Sequence, residues 1–168
     1  MTSLYFDFMN AEDRISVKPH ASPVYHAIQY LLDNLDERYM NTLRELHGLQ
    51  AYPSRTKDPD NVDFSTGSVG IGGIAPNFTS LVERYIKSQA DSKKWDVDKD
   101  LKRRYISLLG DAELDEGSVW EAIAEPTMSN LDDVIWVVDL NRQSLDRVIP
   151  GIRVGAWGKM FAANGWTV

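Results

Sequence analysis

Two apolar runs in the last third of the chain constrain its fold most: Tyr105-Ile106-Ser107-Leu108-Leu109 and Val134-Ile135-Trp136-Val137-Val138. Neither alternates polar with apolar residues, so each reads as a strand buried on both faces. Between them lie an acidic turn over residues 110–117 and a helical stretch over 118–124 that stops near Pro126. Buried strand, helix, buried strand is a βαβ unit, and its strands run parallel. The expected fold class is therefore α/β: a mainly parallel sheet with helices on both faces. A length of 168 residues suits one domain.

The rest of the chain supplies the remaining elements. Residues 1–10 put Tyr5, Phe8 and Met9 at helical spacing, with no capping residue ahead of the stripe. Residues 14–17 predict a short strand, ended by Lys18-Pro19-His20-Ala21-Ser22-Pro23. The two prolines push Lys18 and Ser22 towards extended geometry and hold His20 on a constrained turn. Helices are predicted over 24–32 and 36–46, the second with Tyr39, Leu43 and Leu46 on one face. Residues 48–64 carry Pro53, Pro59, Asp58, Asp60, Asn61 and Asp63 and read as a long loop, of a kind often functional. Ser65-Thr66-Gly67-Ser68-Val69-Gly70-Ile71-Gly72-Gly73 then opens a helix whose Ile71, Ile74, Phe78, Leu81, Val82, Tyr85 and Ile86 share one face. Pro76 marks a kink or an early turn. Residues 155–163 predict a last short helix.

Composition excludes several classes. No cysteine is present, which removes disulfides, Cys-ligated zinc, iron–sulfur clusters and thiol catalysis. The formal net charge is −7. Acids interleave with the basic triplet Lys102-Arg103-Arg104, so residues 90–104 read as a solvated connector and nucleic acid is not expected as a partner. No apolar run approaches the ~18 residues of a membrane span. Residues 1–10 lack a basic segment and carry Asp7, unlike a signal peptide. Cytoplasmic placement follows by default.

Parallel strands bring their C-terminal ends to one edge, where α/β folds bind ligands. The first run delivers Gly110-Asp111 there, the second Asp139-Leu140-Asn141-Arg142-Gln143. Neighbouring strands lie about 5 Å apart, so Asp111 and Asn141 would face a common point. A carboxylate and an amide oxygen are hard ligands that suit Mg²⁺, which fills its octahedron with phosphate oxygens and water. Glu113, Asp115 and Glu116 crowd the next helix start, whose N–H groups can hold a diphosphate. The plainer alternatives stand beside this: the helix dipole alone favours such acids, and Asn after a strand is ordinary turn chemistry. An EF-hand is excluded, because Glu116 stands where that loop needs glycine. Gly70-Ile71-Gly72-Gly73-Ile74-Ala75 also fits G-x-G-x-x-A, but the polar Asp63-Phe64-Ser65-Thr66 before it is no buried strand, so dinucleotide binding is disfavoured.

Gly-Asp, 29 residues between Asp111 and Asn141, then Asn-x-Gln resembles the thiamine diphosphate motif. Segments 17–21, 52–54, 64–72, 110–117 and 141–146 together resemble the homodimeric E1 component of pyruvate dehydrogenase and its transketolase-like relatives. The resemblance runs from about Leu4 to Val168. It implies a partial thiamine diphosphate-binding fold, a single diphosphate-binding domain over 1–168, and thiamine diphosphate and Mg²⁺ as cofactors. By the same resemblance Asp111 and Asn141 would ligate Mg²⁺ by side chain and Gln143 by its main-chain carbonyl. Gly110, Ala112 and Glu113 would meet the diphosphate, the latter two by main-chain N–H, and Ser68 would line the cofactor. His20 matches a histidine near the diphosphate and the reaction centre. The implied substrate is a 2-oxo acid or a ketose.

Three departures qualify this. Ala112 replaces the glycine usual after Gly-Asp. Ser54 stands where the bacterial pyruvate enzymes carry His after Tyr-Pro, which puts pyruvate itself in doubt. The family's chains are several times longer, with an upstream Gly-Gly-His segment, a second domain supplying the activating glutamate, and a C-terminal domain. The reading is thus of a truncated domain that is inactive alone and forms a homo-oligomer or joins a missing-domain partner chain. The alternatives are a non-catalytic remnant or assembly subunit, and one half of a split transketolase-like enzyme. Tyr5, Phe8, Met9, Trp157, Met160, Phe161 and Trp166 are the residues expected to lack cover within the chain.

Overall fold

The two apolar runs form β2 (Tyr105–Gly110) and β3 (Val134–Asp139), parallel neighbours paired from Tyr105 with Val134 to Gly110 with Asp139. β1 (Arg14–Ser16) joins the other side of β2, also parallel, so the strand order is β1-β2-β3. The computed structural model describes residues 1–144, 147, 148 and 153–168. Leu145 and Asp146, part of the segment that carries the resemblance, lie outside the described residues. β2 is buried throughout, as its unbroken apolar run requires. β3 is only half-buried, because it forms the sheet's edge among the described residues.

Residues from α1 (Ser22–Leu31), a π-helical turn (Leu4–Phe8) and the long loop cover one sheet face. There Ile15, Val17, Tyr25, Val62 and Ile106 form a core, with Leu4, Tyr5 and Met9 packed on it. On the other face lie α2 (Ile71–Lys93), α3 (Gly117–Ala124) and α4 (Val154–Ala163). There Trp120, Trp136, Phe161 and Trp166 form an aromatic cluster with ring centroids 5.2–5.7 Å apart. Phe161 is thus buried, and Tyr5, Met9, Trp157 and Trp166 are half-buried against the two cores, against expectation. Phe8 and Met160 remain exposed. β4 (Gln143–Ser144) and β5 (Arg147–Val148) form a short antiparallel pair.

Two expectations are corrected. The helix predicted over 36–46 is only a 3₁₀ turn (Glu37–Tyr39) followed by further turns. Local side chains capture the backbone there: Asp36 Oδ1 accepts the Arg38 N–H at 2.9 Å, and Thr42 Oγ1 donates to Tyr39 O and accepts the Leu49 N–H. Such bonds compete with helix, and a stripe of three apolar residues is too little to offset them.

The second correction concerns α2. It runs unbroken through Pro76, but its apolar stripe does not face the sheet. Gly72, Gly73, Pro76, Asn77, Ser80 and Ala90 are the buried residues, while Ile71, Phe78, Val82 and Tyr85 are 42–59% exposed. Size decides the orientation. A Cβ on Gly73 would lie 3.0 Å from both Leu109 Cδ1 and the Trp136 ring, so the small face is the one that can approach the sheet. Asn77 Oδ1 accepts the Trp136 indole N–H at 2.8 Å, which satisfies that polar group within the layer.

Candidate functional site

Three chain exits meet at the C-terminal edge of the sheet. β1 continues through Val17 to Lys18, β2 ends at Gly110, and β3 ends at Asp139 beside it. A 3₁₀ turn (Asp111–Asp115) follows β2, and only then does α3 begin. The N–H groups beside the strand end are therefore those of this turn rather than of α3, as the sequence had suggested. The acids cause this, because Asp111 and Glu113 bond the backbone around them.

Asp111 is 6% exposed. Its Oδ1 accepts the Ala112 N–H at 3.1 Å, and its Oδ2 accepts the Arg142 N–H at 2.8 Å. The second bond ties the loop after β3 to the loop after β2, across 31 residues. Asn141 Oδ1 accepts the Gln143 N–H at 2.9 Å, and its amide donates to Asp139 Oδ2 at 3.3 Å. Direct hydrogen bonds therefore link Asp111 to Ala112 and its strand-end loop, and Asn141 to Gln143.

Glu113 is buried, with Oε1 accepting the Gly110 N–H at 3.2 Å and Oε2 the Gly70 N–H at 3.3 Å. Burial raises its pKa above the ordinary glutamate value, opposed by those two N–H groups and by the charges of Lys18 and His20. Its carboxylate clamps the glycine-rich loop to the end of β2. Ser68 is half-buried in the turn that leads to Gly70, which has a φ of +83° and caps α2. His20 is exposed on a 3₁₀ turn (Pro19–Ala21). Its Nε2 lies 3.3 Å from the Tyr52 hydroxyl, and the two rings meet edge-on.

Lys18, Asp139 and Tyr52 were not singled out from the sequence as functional. Lys18 Nζ lies 2.7 Å from Asp139 Oδ2, spanning the edge from β1 to β3. The available signal was position, since Lys18 and Asp139 each stand at the end of a predicted strand.

Among the described residues no three His, Asp or Glu side chains converge as a metal cluster. The link that is present is sparser: the buried Asp111 carboxylate is tied to the Arg142 N–H, between Asn141 and Gln143 in the chain. A cavity of about 770 Å³ lies elsewhere, beside the start of β1, lined by Tyr5, Arg14, Gln29, Asp60 and Asp63 among others. None of the predicted site residues lines it.

A parallel sheet whose carboxyl edge gathers strand-end acids beside a glycine-rich helix entrance defines an α/β cofactor-binding domain. The particular kind follows from comparison, for the chain belongs to the family of the transketolase thiamine diphosphate binding domain, which matches residues 7–168. The pyruvate dehydrogenase E1 component of Cupriavidus necator is 28% identical over 161 residues, covering 93% of this chain and 17% of that protein. The E1 component of Escherichia coli K12 is 28% identical over 163 residues, covering 93% and 18%. Transketolase-like protein 2 of Mus musculus is 30% identical over 151 residues, covering 89% and 22%. The chain thus spans about a fifth of the length of the curated relatives it matches.

Proposed function

We propose that residues 1–168 form a single diphosphate-binding domain that holds thiamine diphosphate and Mg²⁺ at this edge. It would serve a 2-oxo acid dehydrogenase E1 or a transketolase-like enzyme, acting on a 2-oxo acid or a ketose in the cytoplasm. The observation that carries the reading is the Asp111 Oδ2 bond to the Arg142 N–H, which fixes the two halves of the Gly-Asp and Asn-x-Gln motif against each other.

The donor set fits the metal. A carboxylate oxygen has more than one lone pair, and each Asp111 oxygen takes one N–H among the described residues. Asp111 and Asn141 oxygens and the Gln143 carbonyl would therefore hold Mg²⁺, which needs few protein ligands beside phosphate. Gly110, Ala112, Glu113 and Ser68 would surround the diphosphate. The Ala112 N–H already bonds Asp111 Oδ1, so it reaches a phosphate oxygen only by sharing or giving up that bond. Bound thiamine diphosphate supplies the nucleophile and electron sink. His20, exposed and oriented by Tyr52, would move a proton at Nε2 for the substrate. Calorimetric titration with thiamine diphosphate is expected to show saturable binding with Mg²⁺ that disappears on adding EDTA. Equal heats under both conditions overturn the metal assignment.

A homo-oligomer or a missing-domain partner chain is the second part of the proposal. The outward stripe of Ile71, Phe78, Val82 and Tyr85 on α2 supports it, since contiguous exposed apolar surface marks interfaces. The remnant, assembly-subunit and split-enzyme readings draw on the same surface. Among the described residues no helix is long and apolar enough to cross a membrane, and nucleic acid is not a proposed partner. Light scattering at micromolar concentrations is expected to show self-association that Val82→Glu with Tyr85→Glu abolishes. A wild-type chain that stays monomeric sinks the homo-oligomer.

A further inference from the structure

The proposed chemistry has not used Lys18, which lies at this edge. Lysine is rarely buried unless paired, yet only 11% of this side chain is exposed. Its stem crosses the end of β2 to reach Asp139 on β3. Glycine at residue 110 eases that path: a Cβ there would lie 3.1 Å from Lys18 Cε and 3.3 Å from Nζ, so the lysine would have to shift by a few tenths of an ångström. The backbone at Gly110 is ordinary extended chain, with φ −81° and ψ 150°, so no turn requires glycine at that position. The missing side chain makes room for the lysine.

The charges around the ammonium are unequal. Asp111, Glu113 and Asp139 are acids at the same edge. Against them stands the Lys18 ammonium, 2.7 Å from Asp139 Oδ2. Asp139 is half-exposed, so its bond to Lys18 is a partly solvated pair of small net worth, and water can replace the lysine on it. Mg²⁺ offsets only part of a diphosphate's charge, so an arriving diphosphate would still lack a counter-charge among these acids.

We propose that Lys18 is a diphosphate-binding cation of this site, held on Asp139 until a phosphate oxygen replaces that carboxylate. The proposal rests on the thiamine diphosphate reading above, and its test separates the two. Wild type, Lys18→Met and Asp139→Asn are titrated calorimetrically, with Mg²⁺ present, using thiamine diphosphate and, separately, inorganic diphosphate. Methionine keeps the stem over Gly110, and circular dichroism melts verify that each variant folds. Lys18→Met is expected to weaken both ligands about 10- to 100-fold, the size of one hydrogen bond between charged groups. Asp139→Asn is expected to tighten both about two- to fivefold, because it releases the lysine from a weak pair. A purely structural ion pair predicts instead that both variants weaken binding alike, and that outcome overturns the proposal, as does unchanged affinity in Lys18→Met. Binding of inorganic diphosphate that depends on Lys18, without binding of thiamine diphosphate, retains the lysine's role and removes the thiamine reading. A wild type that binds neither ligand overturns both.

Discussion

Asp111→Ala is expected to lower the Mg²⁺-dependent affinity for thiamine diphosphate by more than about 100-fold. Loss of a group that merely orients a metal ligand costs about 10–100-fold, and Asp111 is the only buried carboxylate in the proposed donor set. The same change removes acceptors from the Ala112 and Arg142 N–H groups. An unsatisfied buried donor costs about 1–3 kcal/mol, and the lower end applies because Arg142 is exposed and water can reach it. Urea unfolding should therefore show a cooperative transition at a slightly lower midpoint. A folded variant that binds with wild-type affinity would remove Asp111 from the site. Although Asp111 stands at a strand end, its burial and its bond to the β3 loop give its loss this modest cost.

Gly70→Ala is expected to destabilise the chain by about 2–5 kcal/mol. The left-handed backbone costs a residue with a Cβ about 1–2 kcal/mol. Overpacking adds about 1–3 kcal/mol, since the new Cβ would lie 2.6 Å from Val119 Cγ2 and 3.1 Å from Glu116 Cβ. Val119 is fully buried and cannot give way without moving α3. Any shift also strains the Gly70 N–H bond to Glu113, so diphosphate affinity should fall along with stability. Gly117→Ala is the control: nothing lies within 4 Å of a Cβ there, and alanine at a helix start should be neutral or slightly stabilising. Equal urea midpoints for the two variants would show that the strain at Gly70 has been misjudged.

Some of this was legible before any coordinates. β2 and β3 were readable because a sheet buried on both faces demands unbroken apolar runs, and few other elements do. The strand ends then located Asp111 and Asn141, since parallel strands leave their C-terminal ends on one edge. Periodicity failed where it was asked for more than it holds. Tyr39, Leu43 and Leu46 repeat like a helix, but Arg44 and His47 adopt positive φ and Leu46 is 88% exposed. Side-chain bonds from Asp36 and Thr42 outweighed so short a stripe.

The sequence by itself determined the α/β class, the parallel strand pair and the strand-end positions of Asp111 and Asn141, because these depend on residues close together in the chain or on a repeating pattern. Tertiary structure alone decided three things. It turned the glycine face of α2 inward, because the sheet admits no larger side chains at Gly73, and so left the apolar stripe outside. It brought Gly70 to Glu113 and Arg142 to Asp111, pairs 43 and 31 residues apart. It laid Lys18 across Gly110 onto Asp139, 121 residues away. Pattern in a sequence reports which residues share a face; only packing, through the volumes that neighbouring elements leave, decides which face is buried and which distant charges meet.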